Sequence, residues 1–172
     1  YISDGRVTVG SSPYSPSSST ITVPTAPLTA VQNTVFLANM TSGGAYDAAM
    51  MNNMQTVGDA KLSTAVSKFG GSSMSFDGTG DYLVSPQYQN FDFATGDFTI
   101  EGWFYKTIVA TQYLFDTRTT LNENSVAVQS NGSGSLRLFV NGSFVLTSSN
   151  AHTNNAWNHL AISRASGVTR FF

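Results

Sequence analysis

Cysteine is absent from the 172 residues, which removes thiolate metal ligands, cysteine nucleophiles and any disulfide staple. Charge is scarce as well. Asp, Glu, Lys and Arg make up 10% of the chain and the net charge is −2, whereas an average domain is roughly a quarter charged. Nothing here resembles the clustered Lys and Arg that neutralise phosphates, so no nucleic-acid partner is expected. Glutamate occurs only at positions 101 and 123, and no strand carries the paired carboxylates on one face that a polysaccharide hydrolase needs. The chain is therefore expected not to be an enzyme. It holds no run of about 18 apolar residues, so no membrane insertion is expected. His152 and His159 stand too far apart for a zinc pair on one turn or strand, and no Gly-x-Ser-x-Gly elbow presents a nucleophilic serine. Gly78-Thr79-Gly80 precedes no helix whose N-terminus could hold a phosphate.

What is present is β-rich. Hydrophobic residues reach 41% and aromatics 12%, enough for a core, with Ser, Thr, Asn and Gly supplying the polar surface. Tyr1 to Val9 alternates weakly and fits one strand. From Gly10 to Pro27 the chain holds four of its five prolines among many serines; these residues remove ladder donors or compete for backbone hydrogen bonds, so an extended connector is expected. Ala30 to Met40 contains the apolar run Val35-Phe36-Leu37-Ala38. The segment AYDAAMMNNMQ from Ala45 fits a helical turn or an irregular loop equally well.

From Ser72 onward the alternation is continuous. Ser73 to Phe76 and Asp81 to Ser85 flank a Gly-rich turn. Asp97 to Lys106 (DFTIEGWFYK) places Phe98, Ile100, Gly102 and Phe104 on one face, with Thr99, Glu101, Trp103 and Tyr105 on the other. Glu101 is expected as a solvated or hydrogen-bonded strand residue, and His159 as a hydrogen-bonded one. Tyr113 to Asp116, Ser125 to Gln129, Leu136 to Val140, Phe144 to Thr147, Trp157 to Arg164 and Val168 to Phe172 complete the series. Asn141-Gly142 between two alternating runs is a strong hairpin signal, because both residues tolerate positive φ. Short strands about ten residues apart, without a long helix, predict an all-β, antiparallel β-sandwich.

Three groups are candidate binding residues. Calcium takes oxygen ligands, and Asp116, Asn122, Glu123 and Asn124 cluster after one strand, where a solvated loop is the alternative. Tyr82, Tyr88 and Tyr113 could stack on sugar rings where exposed, the alternative being rim or core packing. Asp77, Asp81, Asp92 and Asp97 fit turn and capping roles. Asn39, Asn131 and Asn141 begin glycosylation sequons, two of which coincide with Asn-Gly turns.

The order of the motifs is specific. Lys68-Phe69-Gly70-Gly71, Phe76-Asp77-Gly78, Asp81-Tyr82-Leu83, Phe98-Thr99-Ile100-Glu101-Gly102-Trp103, Val140-Asn141-Gly142 and Trp157-Asn158-His159-Leu160-Ala161 together resemble laminin G-like domains of the concanavalin A-like lectin/glucanase superfamily. The resemblance spans about residues 35 to 172. It implies a jelly-roll sandwich with sugar or protein ligands at its rim, and calcium in some members. Tyr1 to Val7 is similar to the last strand of such a domain, and Pro24 to Val31 to the linker between tandem copies in tail, fibre and capsid-appendage proteins of marine bacteriophages. These likenesses assign residues 1–9 to a preceding repeat, 10–34 to a linker and 35–172 to a sandwich cut short at its C-terminal end, with the chain a fragment of a longer polypeptide. They imply a non-enzymatic virion structural or adhesion module that contacts host glycans or neighbouring subunits, as a homo-oligomer. A carbohydrate-binding module of a secreted, extracellular bacterial protein is the alternative.

Overall fold

A computed structural model describes residues 1–40, 46–49, 52–85, 91–118 and 125–172. Its strands, in chain order, are β1 (Ile2–Val9), β2 (Thr34–Ala38), β3 (Gln55–Val57), β4 (Lys61–Ser63), β5 (Ser73–Ser75), β6 (Tyr82–Val84), β7 (Phe98–Tyr105), β8 (Gln112–Asp116), β9 (Val126–Ser130), β10 (Ser135–Val140), β11 (Ser143–Ala151), β12 (Trp157–Ala165) and β13 (Val168–Phe171). All pair antiparallel. A seven-stranded sheet runs β13-β12-β7-β1-β5-β4 with β2 also on β1, a four-stranded sheet runs β11-β10-β9-β8, and β3 pairs with β6. The chain is an all-β sandwich of jelly-roll type, as the strand spacing predicts.

Alternation on each strand builds the core. Val7 of β1, Phe98, Ile100 and Phe104 of β7, and Leu160 and Ile162 of β12 meet Val126 and Val128 of β9 and Leu136 and Leu138 of β10, all buried in one cluster with Phe93. A second cluster joins Ala38, Met40, Ala60 and Met74, with Phe76 and Leu83 packed against it. Two-residue turns set the hairpin registers. Asn141 (φ 49°) and Gly142 (φ 84°) connect β10 to β11 with Val140 opposite Ser143, while Ser166 (φ 50°) and Gly167 (φ 79°) connect β12 to β13. Positive φ at both positions matches the right-handed strand twist.

Residues 1–9 and 10–34, expected as a separate repeat end and a linker, are instead seated on the sandwich. β1 lies inside the large sheet and pairs with β7 from Ile2 opposite Phe104 to Val9 opposite Phe98. Its alternation is two-sided: Val7 enters the core, while Arg6 and Thr8 face polar partners. A bulge between Ser3 and Gly5, with Asp4 at φ 52°, brings β1 close to β7 at Gly102, where a Cβ would stand 3.0 Å from the Asp4 carbonyl oxygen. The buried Asp4 carboxylate accepts hydrogen bonds from the Leu28 backbone N–H (3.3 Å) and the Asn39 amide (2.6 Å). The connector is irregular, as its prolines dictate, but it lies across the outer face of the large sheet with Leu28 buried. Ser12 hydrogen-bonds Ser163, and the Arg6 guanidinium donates to the Thr29 carbonyl at 2.7 Å. Proline and serine set backbone irregularity; they do not decide what the backbone packs on.

No helix forms among the described residues of 46–67. Asp47 accepts the backbone N–H groups of Leu37 (2.8 Å) and Ala49 (2.9 Å) and the Asn52 amide (2.7 Å). A side chain that captures backbone donors in this way competes with helix formation.

Candidate functional site

The outer face of the four-stranded sheet is built by period-two alternation. Because Val126, Val128, Leu136 and Leu138 enter the core, their neighbours Ala127, Gln129, Arg137 and Phe139 face outward. Strand register then lines them up in two rows. Tyr113, Gln129, Arg137 and Thr147 stand side by side across β8 to β11, and Asp116, Ala127, Phe139 and Phe144 form the next row.

The side chains of these rows interlock. The Arg118 guanidinium lies 4.5 Å from the Tyr113 ring centre and 4.9 Å from that of Phe139, and Phe139 meets Phe144 edge-on at 5.4 Å. Arg137 lies 4.0 Å over the Phe144 ring and donates to the Gln129 amide oxygen. Asp116 accepts from Arg118 Nε (2.8 Å) and Nη2 (2.5 Å), a bidentate pair that fixes the guanidinium between the two rings. Gln129 and Phe139 form a buried floor, while Tyr113 is 46% and Phe144 44% exposed. The result is an aromatic and guanidinium surface with hydrogen-bonding groups between rings, the mix that suits sugar rings with one apolar face and a polar edge.

Of the three tyrosines singled out in the sequence, Tyr113 belongs to this surface. Tyr82 is also exposed, but on β6 opposite Val57 in the two-stranded sheet. Tyr88 lies outside the described residues. So do Asn122, Glu123 and Asn124 of the expected calcium group. Both oxygens of Asp116 face the Arg118 guanidinium in this arrangement. Among the described residues no group of three His, Asp or Glu side chains is placed to hold a metal ion. Arg118, Gln129, Arg137, Phe139 and Phe144 were not singled out in the sequence. The signal for three of them was present: Arg137 and Phe139 alternate with core leucines, and the Asn-Gly turn puts Phe144 opposite Phe139.

A second polar group lies on the outer face of the large sheet beneath the connector. Glu101 is 2% exposed and accepts hydrogen bonds from Arg6 and from the Tyr14 hydroxyl. Of the two expected states, solvated or hydrogen-bonded, it is in the second. Burial first, and then the hydrogen bond to Glu101 and its charge, push the Tyr14 phenol well above its ordinary range. His159 is not hydrogen-bonded as expected: neither ring nitrogen has a hydrogen-bond partner, its Nε2 stopping 3.8 Å from Glu101. Arg6 and Tyr14 already occupy that carboxylate, and the imidazole packs on Trp103 instead, ring centres 5.1 Å apart. Burial, then the charges of Arg6 and Lys68, lower its pKa to about 4. Between the sheets, buried Lys106 donates to Ser130 Oγ (2.9 Å), which contacts His152 Nε2 at 2.6 Å. Ser130 is fully buried, so this Lys-Ser-His arrangement offers no approach to a substrate.

A family model of laminin G type, described as Concanavalin A-like lectin/glucanases superfamily, matches residues 77–172. The chain belongs to this superfamily. The match begins at the Asp77-Gly78 turn and takes in β6 to β13, hence the whole four-stranded sheet and its outer face. In this laminin G-like chain the matched region also contains Glu101, whose carboxylate is closed off by the connector. Neither the comparison with curated proteins nor that with solved structures finds a match.

Proposed function

We propose that the chain is a non-enzymatic recognition module of a virion appendage, a tail, fibre or capsid decoration, presenting its sandwich to host-surface glycans. The observation that carries this reading is the Tyr113, Arg118 and Asp116 surface on the four-stranded sheet, within a laminin G-like fold. Four strands about 4.8 Å apart make that face roughly 14 Å across, the scale of a short oligosaccharide rather than one sugar. A low-charge surface lets such a face bind through shape, stacking and hydrogen bonds. The virion setting draws only on the sequence likeness of residues 1–7 and 24–31 to tandem phage appendage modules, since in the fold these residues pack on the sandwich itself; many copies on an appendage would supply avidity to weak single sites.

A glycan array probed with the intact chain tests the recognition reading. Binding to a defined set of oligosaccharides, reduced about tenfold or more by Tyr113→Ala with the circular dichroism spectrum unchanged, is expected. Hydrolysis of the bound glycan, or binding indifferent to Tyr113→Ala, would count against it. Purified particles that carry many symmetric copies of the chain are the expected outcome for the virion setting, and a secreted enzyme carrying it would remove that part.

A further inference from the structure

We infer that the outer face of the four-stranded sheet takes an acidic saccharide, one bearing a carboxylate, and that Arg137 reads that charge. This rests on the glycan-binding reading above and names its ligand class. Both guanidiniums on the face sit over aromatic rings, Arg118 over Tyr113 and Phe139, Arg137 over Phe144. Stacking shields the faces of a guanidinium and leaves its N–H edge for planar partners. The two differ in how their charge is met. Arg118 is neutralised by bidentate contact with Asp116. Arg137 donates to Gln129, a neutral amide, and no carboxylate pairs with it among the described residues.

The cross-strand neighbours of Arg137 are Gln129 and Thr147, both uncharged. Among the described residues, the face therefore carries one positive charge that no carboxylate meets, fixed by stacking beside the exposed Phe144 ring. A carboxylate fits a guanidinium fork with two parallel hydrogen bonds. A sugar with one carboxylate would place it at Arg137 while its hydroxyls meet the Asp116 and Arg118 pair. A neutral sugar would leave the Arg137 donors to water.

Three probes offered to the intact chain in calorimetric titrations test this: tri-galacturonate, its methyl ester and neutral galactotriose. The free acid is expected to bind about tenfold or more tighter than the ester, with a difference that shrinks as salt rises. Arg137→Gln should abolish the preference. Thr147→Glu, an exposed change that sets a carboxylate opposite Arg137, should do the same without touching the stacked arginine. Equal binding of acid and ester, or a preference that survives both substitutions, overturns the inference but leaves glycan recognition standing. No binding of any probe, together with an array without signal, overturns both.

Discussion

A single carboxylate organises the covered face of the large sheet. Glu101 stands in the middle strand opposite Arg6 on one side and Ala161 on the other, so its charge is met from β1 and from the connector at once. Replacing Arg6 by Met should cost about 3–5 kcal/mol, because it leaves a buried carboxylate uncompensated; Met at both positions should recover most of that loss. Denaturant unfolding of the two single variants and the double variant measures the difference, and a single Arg6→Met change that costs nothing would remove the pair from the account of stability. His159 acts in the opposite sense. The imidazole titrates near 6.5 in an unfolded chain and near 4 in the fold. Above about pH 6.5 it is neutral in both states; between the two values only the unfolded chain takes the proton. Stability therefore declines as pH falls from about 6.5 to about 4, by on the order of 3 kcal/mol, and this contribution levels off below. His159→Leu removes two unpartnered ring nitrogens, so it should leave stability at pH 7.5 unchanged or raised and flatten the acid decline. Thermal melts of both proteins across that range decide it.

Single elements show why some parts of the fold were legible and others were not. Strands from β5 onward announce themselves through alternation and through turns such as Asn141-Gly142, because both signals are local. The connector does not. Its packing depends on contacts such as Tyr14 to Glu101, 87 residues apart, and on a polar sheet face that hydrophobic periodicity cannot mark. The stacked arginines escaped for a related reason: Tyr113, Arg118, Phe139 and Phe144 come from separate strands and a loop, and only register brings them together. The bulge in β1 is another long-range feature, legible at neither Asp4 nor Gly102 alone. It separates two kinds of glycine. Gly142→Ala meets open space but retains a positive φ, and should cost about 1 kcal/mol. Gly102→Ala would press a methyl to 3.0 Å from the Asp4 carbonyl oxygen and 3.2 Å from the Gly5 Cα, both backbone atoms of the neighbouring strand. Its cost should be clearly larger, about 2–3 kcal/mol, and chemical denaturation of the two variants ranks them; the reverse order would mean that β1 shifts freely against β7.

At the scale of the whole molecule, the two larger sheets share one core, and β1 is the strand that makes the large sheet continuous. It separates β7 from β5 and β2, contributes Val7 to the common cluster and supplies Arg6 to Glu101. The connector that follows covers the same region from outside. Removing residues 1–33 would open the hydrogen-bonding edge of β7, expose Phe98, Ile100 and Phe104 along one side, and strip the cover from Glu101. Unpaired edges with adjoining apolar surface template association, and loss of a shared strand uncouples elements that otherwise unfold together. The intact chain is expected to unfold in one cooperative transition detected alike by tryptophan fluorescence and far-ultraviolet circular dichroism. The 34–172 fragment should show non-coincident transitions and bind a hydrophobic dye, and it should associate as concentration rises. Adding a peptide of residues 1–10 to the fragment should restore part of the cooperativity, since the register of β1 on β7 needs no covalent link. A fragment that stays monomeric and melts at the same temperature as the intact chain would mean that the sandwich closes without β1, and that residues 1–33 are an accessory to it.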